Sequence, residues 1–147
     1  MARSREKHKG RKEGSSFLLV PHCVMRHPDF AEASCRATKL LLDIAVEYRG
    51  ANNGDLNAAM SRLRKRGWNS TSQLAKAKKE LLERGLIIET RQGGLGIGPT
   101  LYALTWLDLN ECGGKLDISI VTHKRRSFSL PRPHKVLTVS HGGAKAA

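Results

Sequence analysis

A chain of 147 residues with 26 Lys and Arg against 13 Asp and Glu suits one domain with a modest core and a cationic excess of +13. No run reaches the roughly 18–20 apolar residues that span a bilayer, and the charged start lacks the apolar stretch of a secretory signal. Cys23, Cys35 and Cys112 are odd in number and widely spaced, so reduced thiols in a cytoplasmic protein are expected, not a disulfide framework.

The charge is unevenly placed. Residues 1–15 hold six basic and two acidic residues, and residues 123–147 hold six basic and none acidic. The middle is nearly balanced. Both ends therefore read as extended, disordered basic arms, 1–15 and 123–147, around a folded part at 16–107 and a short strand or hinge at 108–122. Such arms suit a polyanion, because each neutralised phosphate releases condensed counterions.

In chain order, Phe17-Leu18-Leu19-Val20 is an apolar run closed by Pro21, expected as a strand or an extended segment on the core. Asp29 with Glu32 three residues on could cap a single helical turn. After Ser34, the positions Ala37, Leu40, Leu41, Ile44, Ala45 and Tyr48 draw one apolar stripe on a helix that Gly50 ends. Ala51-Asn52-Asn53-Gly54 is a turn. A second helix is expected from Asp55, with Leu56, Ala59, Met60 and Leu63 inward and a basic cluster at its end. Gly67 stops it.

Ser70-Thr71-Ser72-Gln73 matches a capping box for a third helix, with Leu74, Ala77 and Leu81 buried and Gly85 just past its end. Leu86–Glu89 and Thr100–Trp106 read as two strands of a hairpin bridged by Arg91–Gly98 (RQGGLGIG). That glycine-rich stretch is no dinucleotide fingerprint. After Gly94 and Gly96 the third glycine position is Pro99, a strand follows where a helix is needed, and no Lys-Ser or Lys-Thr completes a P-loop. Leu116–Val121 alternates like a short strand, Gly113-Gly114 suggests a hinge, and Pro131 and Pro133 fit an extended arm.

Three helices and then a hairpin, with only Gly67-Trp68-Asn69 between the second and third helices, is an α+β layout. The stretch GWNSTSQLAKAKKELLERGLIIETRQGG resembles the winged helix-turn-helix family, as does its "ELLERGLI" exit from helix to strand. With YRGANNGDL before it, the unit is similar to the winged-helix part of phage and plasmid replication initiators and to small regulators of bacterial mobile elements. The resemblance spans about residues 16–107. It implies sequence-specific binding of double-stranded DNA and transcription regulation. Two alternatives stay open: a replication or maintenance accessory factor at an origin, and an adaptor that docks a protein or RNA through the same fold.

A recognition helix places its first turns at the base edges. On the third helix these are Asn69, Ser70, Ser72, Gln73 and Lys76; Gln pairs with adenine and Lys reaches guanine or phosphate. Lys79 and the cluster Arg62, Arg64, Lys65 and Arg66 suit phosphate, which fixes register without reading sequence. Arg91 and Gln92 sit at the wing, with Arg49 and Arg84 as weaker candidates. Arg3, Arg5, Lys7, Lys124, Arg125 and Arg126 belong to the arms. On the same helix Lys76–Glu80 and Lys79–Glu83 have ion-pair spacing, and Lys78 is expected to lay its stem over the core. Trp68 and Trp106 read as core anchors.

His22, Cys23 and His27 lack a fourth ligand for structural zinc, and Asp43 with Glu47 has the spacing of any helix face. No nucleophile or metalloenzyme motif occurs. An enzyme, a cofactor and a membrane partner are not expected; a homodimer, and a protein partner on the C-terminal arm, stay open.

Overall fold

The computed structural model describes residues 16–129. Ser34 starts the first long helix, its hydroxyl accepting from the Ala37 amide at 3.1 Å, and the apolar stripe runs inward along Cys35–Ala45. Two shorter helices precede it, so the labels are α1 (His22–Arg26), α2 (Pro28–Ala31) and α3 (Cys35–Ala45). Then follow β1 (Leu56–Asn57), α4 (Met60–Leu63) with a 3-10 turn at Arg64–Arg66, α5 (Thr71–Glu83), β2 (Ile87–Arg91) and β3 (Leu101–Leu104). The architecture is α+β: five helices and a three-stranded antiparallel sheet in the order β1-β3-β2.

The core forms where α3 lies along α5. Leu40, Leu41 and Ile44 from one helix and Leu74, Ala77 and Leu81 from the other are all buried, with Leu86, Ile87 and Leu104 closing the layer from the sheet. Trp68 and Trp106 are both buried at its margins. Of the segment before α1, Leu18 and Val20 pack on the core while Phe17 and Leu19 face outward, the alternation of an extended chain.

Several elements differ from the sequence expectation. The cap of α2 is His27, whose Nδ1 accepts from the Asp29 amide at 3.1 Å; Pro28 occupies the first helical position, where its missing N–H costs nothing. No helix begins at Asp55. Asn53 is fully buried and uses its side chain as a piece of ladder: Oδ1 accepts from the Leu104 amide at 2.8 Å and Nδ2 donates to the Leu104 carbonyl at 3.0 Å. Gly54, at φ 121°, turns the chain onto the edge of β3, where Leu56 faces Tyr102. Asn57 Oδ1 then accepts from the Ala59 amide at 2.7 Å, and only at Met60 does a helix start.

The hairpin is as expected within a residue or two, with a bulge between Glu89 and Arg91. Its loop closes on Gly94 and Gly98, joined by an amide-to-carbonyl bond of 3.0 Å. Gly93 is required by space: a Cβ there would lie 2.3 Å from the Thr100 nitrogen.

Residues 116–121 form turns, not a strand, since their backbone goes to single anchors such as the Asp117 amide on the Thr90 carbonyl at 2.8 Å. Gly113 and Gly114 lie in a 3-10 turn, Cys112–Gly114. The first residues of the expected arm, 123–129, are a strap on the body. Phe128 is buried, the Arg126 amide donates to the Thr105 carbonyl at 2.7 Å, and its Nη1 donates to the Arg84 carbonyl at 2.8 Å. Arg126 also pairs with Asp29 and stacks 4.3 Å from the Phe128 ring centre. Among the described residues, no helix is long and apolar enough to cross a membrane.

Candidate nucleic-acid interface

The entry to α5 is set by a buried carboxylate. Asp43 on α3 accepts from Lys39 Nζ at 2.6 Å, Arg66 Nε at 2.6 Å and Trp68 Nε1 at 2.7 Å. Burial pushes its pKa up, but the bonds from Lys39, Trp68 and Arg66 outweigh it and hold the carboxyl below its ordinary value. The short connection from the 3-10 turn to α5 is thereby fixed to α3. Gly67, at φ 92°, makes the reversal, and the Ser70 hydroxyl accepts from the Gln73 amide to start the helix.

From this start α5 turns one face outward. Asn69, Ser72, Gln73, Lys76 and Lys79 are exposed, and Ser70 is half-buried beside Ser72, their hydroxyls 3.0 Å apart. The Gln73 side chain makes no hydrogen bond among the described residues, so the expected reciprocal half of the capping box is not formed. The expected Lys76–Glu80 pair is not formed either. Glu80 turns back to α3, where it accepts from the Ser34 hydroxyl at 2.6 Å and amide at 2.8 Å, and from Arg84 Nε at 3.1 Å. Those Ser34 bonds lower its pKa. Lys76 is left with no carboxylate at ion-pair distance among the described residues, whereas Lys79 stands 3.8 Å from Glu83. Lys78 is half-buried, and desolvation lowers its pKa.

The basic cluster is divided by its partners. Arg62 pairs with Glu47 at 3.3 Å and Arg66 with Asp43, while Arg64 and Lys65 are exposed and unpaired among the described residues. At the hairpin, Arg91 Nη2 donates to the Pro99 carbonyl at 3.1 Å, and Gln92 is exposed with its amide on Asp117 at 3.1 Å. Arg84 is taken by Glu80 and the Glu32 carbonyl, but Arg49 is exposed. Of the arms, Lys124 and Arg125 are exposed, Arg125 lying 3.9 Å from Asp108, and Arg126 is turned inward. Arg3, Arg5 and Lys7 lie outside the described residues.

Two features went unread in the sequence. Asp43 is a hub whose partner Arg66 lies 23 residues away, a relation that no local spacing signals. The loop tip is apolar: Leu95 and Ile97 are exposed on it at 105 % and 61 %, though their place in a glycine-rich loop could have suggested this. No three His, Cys, Asp or Glu side chains among the described residues are grouped as metal ligands; His22 and Cys23 are exposed. Comparison with known protein families, with characterised proteins and with solved structures finds no match to this chain.

Proposed function

We propose that this chain is a winged helix-turn-helix protein that binds double-stranded DNA sequence-specifically and regulates transcription on a bacterial mobile element. The observation that carries the reading is the face of α5: exposed, polar and cationic at Ser72, Gln73 and Lys76, on a helix bolted to α3 through its opposite side. A helix of 13 residues is about 20 Å long, and the major groove admits one such helix. The order α3-β1-α4-α5-β2-β3, with β1 on the free edge of β3, and the exposed loop between β2 and β3 support a wing. The resemblance of YRGANNGDL and the segment after Gly67 supports the mobile-element setting.

In this reading Asn69, Ser70, Ser72, Gln73 and Lys76 face bases, while Arg64, Lys65 and Lys79 hold phosphates. Arg62 and Arg66 serve the fold first, through Glu47 and Asp43. Selection of bound sequences from a random duplex pool tests the proposal. A recurring motif is expected, and the double variant Gln73→Ala/Lys76→Ala should blur it more than it lowers total affinity. A pool with no enrichment, together with no mobility shift at low salt, refutes DNA binding. The position of the motif, at a promoter or an origin, separates a regulator from a replication accessory. The exposed Leu95 and Ile97 favour a second reading as a protein adaptor, since paired apolar side chains on a protruding tip are a natural partner anchor.

A further inference from the structure

Four cations from four separate segments border one open depression of about 370 Å³: Arg49 after α3, Arg62 on α4, Arg91 at the end of β2, and Lys115 after the last 3-10 turn. Glu47 and Asp55 share its lining, and each is already neutralised. Arg62 stands 3.3 Å from Glu47 and Lys115 3.0 Å from Asp55. Arg49 and Arg91 have no carboxylate at ion-pair distance among the described residues, so the depression holds two surplus positive charges.

The donors are also unevenly used. The Asn52 side chain is spent on the Arg49 amide and the Glu47 carbonyl, whereas Asn57 Oδ1 accepts from the Ala59 amide and its Nδ2 makes no hydrogen bond among the described residues. Arg91 gives Nη2 to the Pro99 carbonyl, but its Nε is buried with no acceptor. Nη1 of Arg91 makes no hydrogen bond among the described residues, so the guanidinium keeps a donor for an anion. Arginines suit phosphate best, because the guanidinium fork matches two oxygens at once.

We propose that this depression binds a phosphoryl group, with Arg49 and Arg91 as its principal ligands and Arg62 and Lys115 as its rim. The surplus matches the charge of about −1.5 to −2 that a phosphate monoester carries at pH 7. The volume falls in the range of pockets for small molecules. Phosphate capture here does not depend on duplex binding by α5. The same chemistry has two sources, a free phosphorylated small molecule and a phosphate of a nucleic-acid backbone.

Calorimetry on the full chain with inorganic phosphate, against chloride at matched ionic strength, is the test. Saturable binding of one phosphate per chain is expected, with a rise in Tm that chloride does not give. Arg49→Gln and Arg91→Gln should each weaken binding at least tenfold. Arg26→Gln, on the exposed side of α1, should leave it unchanged. A Tm rise equal to that in chloride, or full affinity in Arg49→Gln, overturns the proposal; Arg49 is exposed, so its variant keeps the fold. The source is read from anisotropy of a labelled duplex at fixed ionic strength. Displacement by phosphate, with weaker duplex binding in Arg49→Gln, assigns the site to a backbone phosphate. Unchanged duplex binding, with glycerol 3-phosphate held at least as tightly as phosphate, assigns it to a free ligand.

Discussion

Asp43 shows how one side chain can set the pose of a helix it does not belong to. It is buried and satisfied by three donors, one from its own helix and two from the connection into α5. Removing it leaves the buried Trp68 N–H unpaired while Lys39 and Arg66 can turn to water, so Asp43→Ala should cost about 1–3 kcal/mol in denaturant unfolding. Asp43→Asn keeps the shape but loses the charge and turns one of the two accepting oxygens into an NH2 that faces a donor. Because the folded pKa of Asp43 is lowered, its contribution is complete above the ordinary carboxylate pKa of about 3.9 and is lost as pH falls through the folded value. The stability gap between the native chain and Asp43→Asn should therefore be full at neutral pH and close below about pH 4. A gap that stays constant down to about pH 3, below the ordinary carboxylate range, would show that the charge of Asp43 contributes nothing there.

Elements were legible in proportion to their length and periodicity. Helices α3 and α5 carry regular apolar stripes and true caps at Ser34 and Ser70, and the hairpin is bounded by glycines. Strand β1 has two residues, too few to show any period, and its place depends on the buried side chain of Asn53 reaching residue 104. On the candidate interface, exposure could be read from the helical stripe. Which charges remain available could not, because Glu80 is claimed by Ser34 from 46 residues away. The hairpin yields a comparison of two glycines. Gly93→Ala drives a Cβ into backbone and should unfold the loop, while Gly96→Ala meets open space and bears only its φ of 76°, a cost of about 1–2 kcal/mol. Thermal unfolding of the two variants should separate them clearly; equal losses would mean that the loop relaxes around Gly93.

At the scale of the molecule, the basic ends do two different things. Residues 123–129 belong to the body, so Phe128→Ala should cost about 3–5 kcal/mol of stability, as for other buried phenylalanines. The six basic residues within 1–15 serve duplex affinity in the proposed function. Deleting residues 1–15 should flatten the dependence of log K on log salt, by up to about 0.9 for each phosphate that the arm neutralises. An unchanged slope would remove the arm from the interface. The strap has a further consequence in time. Arg126 closes over the carbonyls of Arg84 and Gly85, at the trailing end of α5, and reaches Asp29 from 97 residues away. During synthesis at about 5–20 residues per second, α5 thus emerges on the order of 2–9 s before its clamp exists. In that interval the site of Phe128 in the core is open, and the carbonyls of Arg84 and Gly85 lack the donor that Arg126 later supplies.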